Sequence, residues 1–145
     1  MKSKNWLDNC NPLTVKNTLK ICIFILFSLG LHTARALDVY DDFGNAIRSG
    51  DARQVAIYFG NTIDLTLLNQ EDIYSKAQAE QILRDFFSKN SPKSFTIVHK
   101  GSSQEGTLYG IGTLTSSNAK TYRVSFYMKT VNGKNSLLEL RIESE

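Results

Sequence analysis

The sequence predicts an α+β domain in which amphipathic helices pack on an antiparallel sheet built mainly by the C-terminal third. Three observations carry the prediction. Between Ser94 and Glu143 four strand-like runs, 94–100, 106–115, 121–129 and 136–143, are separated by turn residues, the pattern of an antiparallel meander. Before them, Ala79, Ile82, Leu83, Phe86 and Phe87 recur at the spacing of a core-facing helix. Further upstream, Ser49-Gly50-Asp51 punctuates two helical stretches.

The N-terminus belongs to a different category. Lys2, Lys4, Lys16 and Lys20 precede an apolar run of 11 residues, Ile21 to Leu31, followed by Ala34-Arg35-Ala36. This is the pattern of a secretory signal peptide. The run is far shorter than the roughly 20 residues a helix needs to cross a bilayer, so a permanent membrane span is not expected. Cys22 lies inside the apolar run, which disfavours a lipid-modified start. Small residues at 34 and 36 place the cut before Leu37, giving a signal peptide over 1–36 and a single domain over 37–145. Cys10 and Cys22 leave with the signal, so the mature chain has no cysteine for a disulfide, a thiolate nucleophile or a metal site. Its charge also changes. The precursor's +3 becomes 12 basic against 13 acidic residues, a net of −1. The basic isoelectric point is thus a property of the signal, and nucleic acid is not an expected partner.

Leu37 to Arg48 sets Val39, Phe43, Ala46 and Ile47 at helical spacing, with Asp38, Asp41 and Asp42 early, where the helix dipole favours negative charge. Gly50 suits a left-handed C-terminal position and Asp51 an N-cap. A short second helix runs from Ala52 to about Phe59, with Gly60-Asn61 stopping it. Thr62 to Leu68 alternates, Ile63, Leu65 and Leu67 on one face and Asp64 on the other, as in a half-buried strand. Asp64 is expected to face solvent. Ile73-Tyr74 adds at most a short pairing. Ser75-x-x-Gln78 is a capping box that opens the third helix, and Asn90-Ser91-Pro92 closes it.

In the last strands, parity places Leu108, Leu114, Val124, Phe126, Met128, Leu138, Leu140 and Ile142 inward. Arg123, Ser125, Lys129, Glu139, Arg141 and Glu143 fall outward. A two-residue turn at Asn132-Gly133 would set Val124 opposite Arg141 and mix core with charge. Moving the register by one sets Phe126 opposite Leu140, Val124 opposite Ile142 and Arg123 opposite Glu143. Because a one-residue slip flips every side chain, the expectation is a three-residue loop with a glycine bulge.

Ser49-Gly50-Asp51-Ala52, the Ser75 to Phe87 helix ending in Phe-Phe, Tyr109-Gly110-Ile111-Gly112-Thr113-Leu114 and Tyr122-Arg123-Val124 together resemble the nuclear transport factor 2-like superfamily. That resemblance implies a strongly bent antiparallel sheet wrapped around one long helix, two shorter N-terminal helices and a conical cavity. The details are most similar to a family of small secreted proteins of Gram-negative bacteria known only as a domain of unknown function. The superfamily contains both enzymes and binding modules, so its fold assigns no chemistry. No catalytic residue carries over, and no cofactor or metal is implied.

His99, the mature chain's one histidine, shares the Phe95 and Ile97 face by parity. It is either an acid/base at a cavity mouth or a polar residue at a strand end. Gly110 and Gly112 fall inward, either leaving room for a ligand or letting the sheet bend. Tyr58 and Tyr122 fall inward too and could supply polar points in a ligand pocket. Outward Tyr109, Ile111, Tyr127 and Leu137 form an apolar patch that calls for a cover. The leading expectation is an exported binding or assembly module for a small apolar ligand, a peptide or a second copy of itself. The alternative is a cofactor-free isomerase- or hydrolase-like enzyme with His99 as acid or base and Tyr122 as donor. The alternative requires His99 and a hydroxyl or carboxylate to converge in one cavity.

Overall fold

The computed structural model describes residues 35–103 and 105–145, so the expected signal segment lies outside it except for Arg35 and Ala36. The elements are α1 (Arg35–Ser49), α2 (Ala52–Ala56), β1 (Phe59–Leu67), β2 (Gln70–Ser75), α3 (Lys76–Lys89), β3 (Pro92–Ser102), β4 (Thr107–Ser116), β5 (Thr121–Val131) and β6 (Lys134–Ser144). The six strands form one sheet in the order β2-β1-β6-β5-β4-β3. Neighbours are antiparallel except β1 and β6, which run parallel. None of the described helices is long and apolar enough to cross a membrane.

Local chemistry sets the helix boundaries where the sequence placed them. Gly50 closes α1 at φ +67° with its N–H on Ile47 O, and the Asp51 carboxylate caps α2 by accepting from Arg53 N at 2.9 Å. Ser75 and Gln78 form the reciprocal capping box at the start of α3. The third helix buries Ala79, Leu83, Phe86 and Phe87, with Ile82 partly covered. Two boundaries move. The second helix ends at Ala56, and Phe59 to Asn61 already belong to β1. Gln70–Ser75 is a full strand, paired with β1 along its whole length. With 15 residues α1 matches the 14 of α3, so only α2 is short.

The expected hairpin register is present, but the loop that was to produce it is not. Val124 faces Ile142, Phe126 faces Leu140 and Arg123 faces Glu143, yet nearer the turn Val131 faces Lys134 across a two-residue loop. Asn132 and Gly133 have φ of 52° and 76°, as a type I′ turn requires. A bulge between Tyr127 and Met128 reconciles the two: Tyr127 pairs with Glu139 and Met128 with Leu137, leaving Leu138 as the extra residue. Leu137 is therefore turned inward and Leu138 is left exposed, the reverse of the parity reading.

A second bulge acts on β3. Ile97 pairs with Gly112 but His99 pairs with Ile111, so Val98 is the inserted residue. Beyond it every side chain changes face. His99 joins Ile111 on the convex side, and Lys100 takes the concave side, where its ammonium lies 5.3 Å from the Tyr40 ring centre.

Between the helices and the sheet the core is dominated by aromatic rings. Phe43 of α1 meets Phe126 at 4.6 Å between centroids and Tyr58 edge-on at 5.4 Å, while Phe86 of α3 meets Tyr122 at 5.2 Å. Such pairs contribute about 0.5–1.5 kcal/mol each beyond the area they bury. The two inward glycines of β4 are seats for rings. A Cβ on Gly110 would stand 2.2 Å from the Phe126 ring, and one on Gly112 would stand 2.7 Å from Phe95. The room these glycines leave is filled by the chain's own phenylalanines and not open to a ligand, in keeping with the expectation that they serve the bend of the sheet. Gly110→Ala is expected to destabilise the fold by about 1–3 kcal/mol through overpacking. In the Gly110→Ala/Phe126→Leu pair the two losses should be less than additive in urea unfolding. Strict additivity would mean the ring does not rest on the glycine.

Candidate functional site

The residues singled out from the sequence do not meet in one cavity. His99 is exposed on the convex face, opposite Ile111. Tyr122 is buried on the concave side, where its hydroxyl donates to Asn90 Oδ1 at 2.7 Å. Asn90 is the C-cap of α3; its amide also donates to Phe86 O, and Asn118 donates to the same Oδ1 at 3.2 Å. The Tyr122 hydroxyl is thus engaged in fastening a helix end to β5. Tyr58 is half-buried with its ring against Phe43, apart from the Tyr122–Phe86 pair. The sheet separates His99 from the Tyr122 hydroxyl, so the acid/base pairing weighed for an enzyme is not assembled. Among the described residues no group of three or more His, Cys, Asp and Glu side chains is placed to hold a metal ion.

Two surfaces are organised instead. The convex face is built in rows across the strands. One row runs Tyr109, Tyr127, Glu139, Asp64, Ile73; the next runs His99, Ile111, Ser125, Arg141, Thr66, Glu71; a third holds Thr113, Arg123 and Glu143. Tyr109 and Tyr127 are 40% and 43% exposed with ring centroids 6.3 Å apart. Gly101 opposite Tyr109 has no side chain to compete, and the Tyr109 ring covers it. Leu137 drops out of the expected patch, being wholly buried, and Leu138, 47% exposed at the bulge, takes its place as the apolar residue of that strand end.

The half of this face toward β2 is charged. Arg141 donates to Glu139 Oε1 at 2.6 Å and to Glu71 Oε1 at 2.9 Å, a partly exposed network that links β6 to β2. Asp64 lies on this face as its parity requires, but it is half-buried beside those side chains, and neither its Oδ1 nor the hydroxyl of Thr66 has a hydrogen-bond partner. The solvent-facing reading of Asp64 is corrected accordingly.

The second surface is a groove of about 540 Å³ between α1 and the edge strand β3, lined by Tyr40, Gly44, Arg48, Phe95, Ile97 and Lys100 among others. Tyr40, Gly44 and Arg48 are four residues apart and share one helix stripe. Arg48 Nη2 donates to Phe95 O at 3.0 Å and Nη1 to Asn45 Oδ1 at 2.6 Å, while Tyr40 Oη donates to Gly101 O at 2.5 Å. Sequence reading missed this groove. Its signal was a stripe of one aromatic, one glycine and one arginine beside the Phe43 and Ile47 core stripe, legible only once β3 is known to be an edge.

With the fold in view, comparison with known proteins gives it a place. A family model described as a domain of unknown function, DUF4783, matches residues 40–143. The chain belongs to the DUF4783 family. Crystal structures of DUF4783 proteins from Bacteroides ovatus and Bacteroides fragilis align with it at TM-scores of 0.67 and 0.66. Their identities are 25% and 26%; both alignments cover 72% of this chain, with 93% and 96% of the relatives. A designed NTF2 protein with a long sheet aligns at TM-score 0.60 and 17% identity over 74% of this chain and 98% of its own, which shows the shared fold. No curated protein matches.

Burial holds the phenols of Tyr122 and Tyr40 above their ordinary pKa near 10. A phenol whose pKa is raised by folding contributes stability that is fully present below the unfolded value and is lost as pH climbs through the folded one. Unfolding free energy of this DUF4783 domain should therefore decline above about pH 10. Tyr122→Phe should flatten that decline while lowering stability at pH 7 by about 1 kcal/mol, through the lost bond to Asn90. An unchanged alkaline limb in both Tyr122→Phe and Tyr40→Phe would contradict this assignment.

Proposed function

We propose that this DUF4783 domain is an exported binding and assembly module, and that its working surface is the convex sheet face, covered by a second copy of the chain. The observation that carries this reading is the adjacent, exposed Tyr109–Tyr127 pair in the middle of a sheet face that no described element covers. A one-sided sheet ordinarily turns polar residues to solvent. Here the aromatic pair, with Ile111 beside it, is bordered by charges of both signs: Arg123 opposite Glu143, and Arg141 between Glu139 and Glu71. A two-fold pairing sets the apolar centre on itself and each arginine within reach of the partner's carboxylates, so one patch is used twice. The buried helices leave no segment of the described chain to act as cover.

Export rests on the lysine-flanked apolar run and Ala34-x-Ala36. The enzyme alternative loses its support because His99 and Tyr122 lie on opposite faces. Protein recovered from cells tests both parts in one preparation. Its mass should correspond to a chain starting at Leu37, and sedimentation at micromolar concentration should give a dimer that Tyr127→Glu converts to a monomer. Intact precursor in the cytoplasm would contradict export. A monomer unaffected by Tyr127→Glu would remove the second copy as the occupant of the convex face.

A further inference from the structure

We infer that the groove between α1 and β3 is a strand-addition site for an extended, acidic peptide segment. β3 has a neighbour only on its β4 side, and in an antiparallel ladder alternate residues turn their N–H and C=O away from the partner strand. Phe95 is one of these, its carbonyl accepting from Arg48 of α1, whereas Gly101, whose carbonyl accepts from Tyr40, has the parity of Ser103, whose N–H donates to Thr107 O of β4. Ile97 shares the parity of Phe95, and beyond the bulge Lys100 takes it up while His99 and Gly101 face β4, so Ile97 and Lys100 present backbone groups off the edge of the sheet. The helix thus clamps the edge strand at two points and leaves the stretch between them open.

Gly44 makes the opening. It sits midway between Tyr40 and Arg48 on α1, and a Cβ there would reach only ordinary contact with Ile97 and Phe95, at 3.7 Å. A longer side chain at this position would occupy the groove. The volume of about 540 Å³ lies in the range of functional clefts. At about 3.3 Å per residue, the stretch between the two clamps accommodates roughly four residues of extended chain.

Charge selects the occupant. Arg48 and Lys100 both line the groove, and Asp41 is the one carboxylate among the lining residues. Arg48 is satisfied by neutral oxygens and Lys100 by a ring; neither forms an ion pair among the described residues. The planar guanidinium fork suits a carboxylate, and main-chain pairing with alternate side chains anchored in a helix-walled groove is a known mode of peptide recognition. The bulge at Val98, Pro92 and the lysines of β3 are also devices that blunt an edge against unlimited pairing. They confine any added strand to the short segment between the clamps, and Val98 itself, 55% exposed, is left apolar beside it. This site is separate from the convex face, so its test is independent of the oligomeric state.

The probe is the capped peptide acetyl-Thr-Val-Glu-Val-Glu-Thr-amide, titrated into the isotope-labelled protein and followed by amide resonances. Saturable shifts are expected at Ile97, Val98 and Lys100. Exchanging the glutamates for lysines, or N-methylating the central valine, should weaken binding at least tenfold. Gly44→Leu and Arg48→Gln should do the same without changing the pattern of amide protection in the core. No shift at millimolar peptide, shifts confined to Tyr109 and Tyr127, or undiminished binding by Gly44→Leu would each overturn the proposal.

Discussion

Phe126 lies over Gly110 so closely that one added methyl would stand 2.2 Å from its ring, and much of the molecule depends on that contact. The ring occupies the inside of the sheet's bend and is itself the platform for Phe43 and Tyr40 of α1. Phe95 does the same over Gly112 one step along β4. Glycine in a strand ordinarily weakens it, because there is no side chain to pack. Here a neighbouring aromatic supplies the missing surface, as designed curved sheets do on purpose. The space above these two glycines is therefore taken up by packing.

Two single-residue insertions decide what those surfaces display. Without the bulge at Val98, His99 would face the core side and Lys100 would not reach the Tyr40 ring. Without the bulge at Leu138, Leu137 would face outward and Leu138 would take its place in the core. Bulges change twist and re-aim side chains at little cost to the ladder. In this domain they separate an aromatic convex half from a basic groove at the opposite side of the edge strand.

Much of the architecture was legible because it rests on local chemistry. The Ser75–Gln78 capping box, the left-handed Gly50, the Asp51 cap and the apolar stripe of α3 are each decided within a few residues. The register of β5 on β6 was legible for a different reason: only one pairing keeps Val124, Phe126, Leu140 and Ile142 together. The loop was not, since a bulge five residues inside the strand yields the same register as a bulge in the turn, and parity alone does not distinguish them. Leu137 was misplaced by that ambiguity, and His99 by the separate bulge at Val98. The groove was hidden more deeply, because it requires knowing that β3 is an edge strand and that β6 runs parallel to β1, both non-local facts.

The concave side of the sheet is filled by aromatic rings seated on glycines. Xenon is the most direct probe, because it enters dry apolar voids of sufficient size. Titrated into the native protein and followed by methyl resonances, it is predicted to leave Leu114, Val124 and Leu140 unshifted, while Phe126→Ala should open a site that shifts them saturably. Saturable xenon shifts at those three residues in the native protein would contradict the claim.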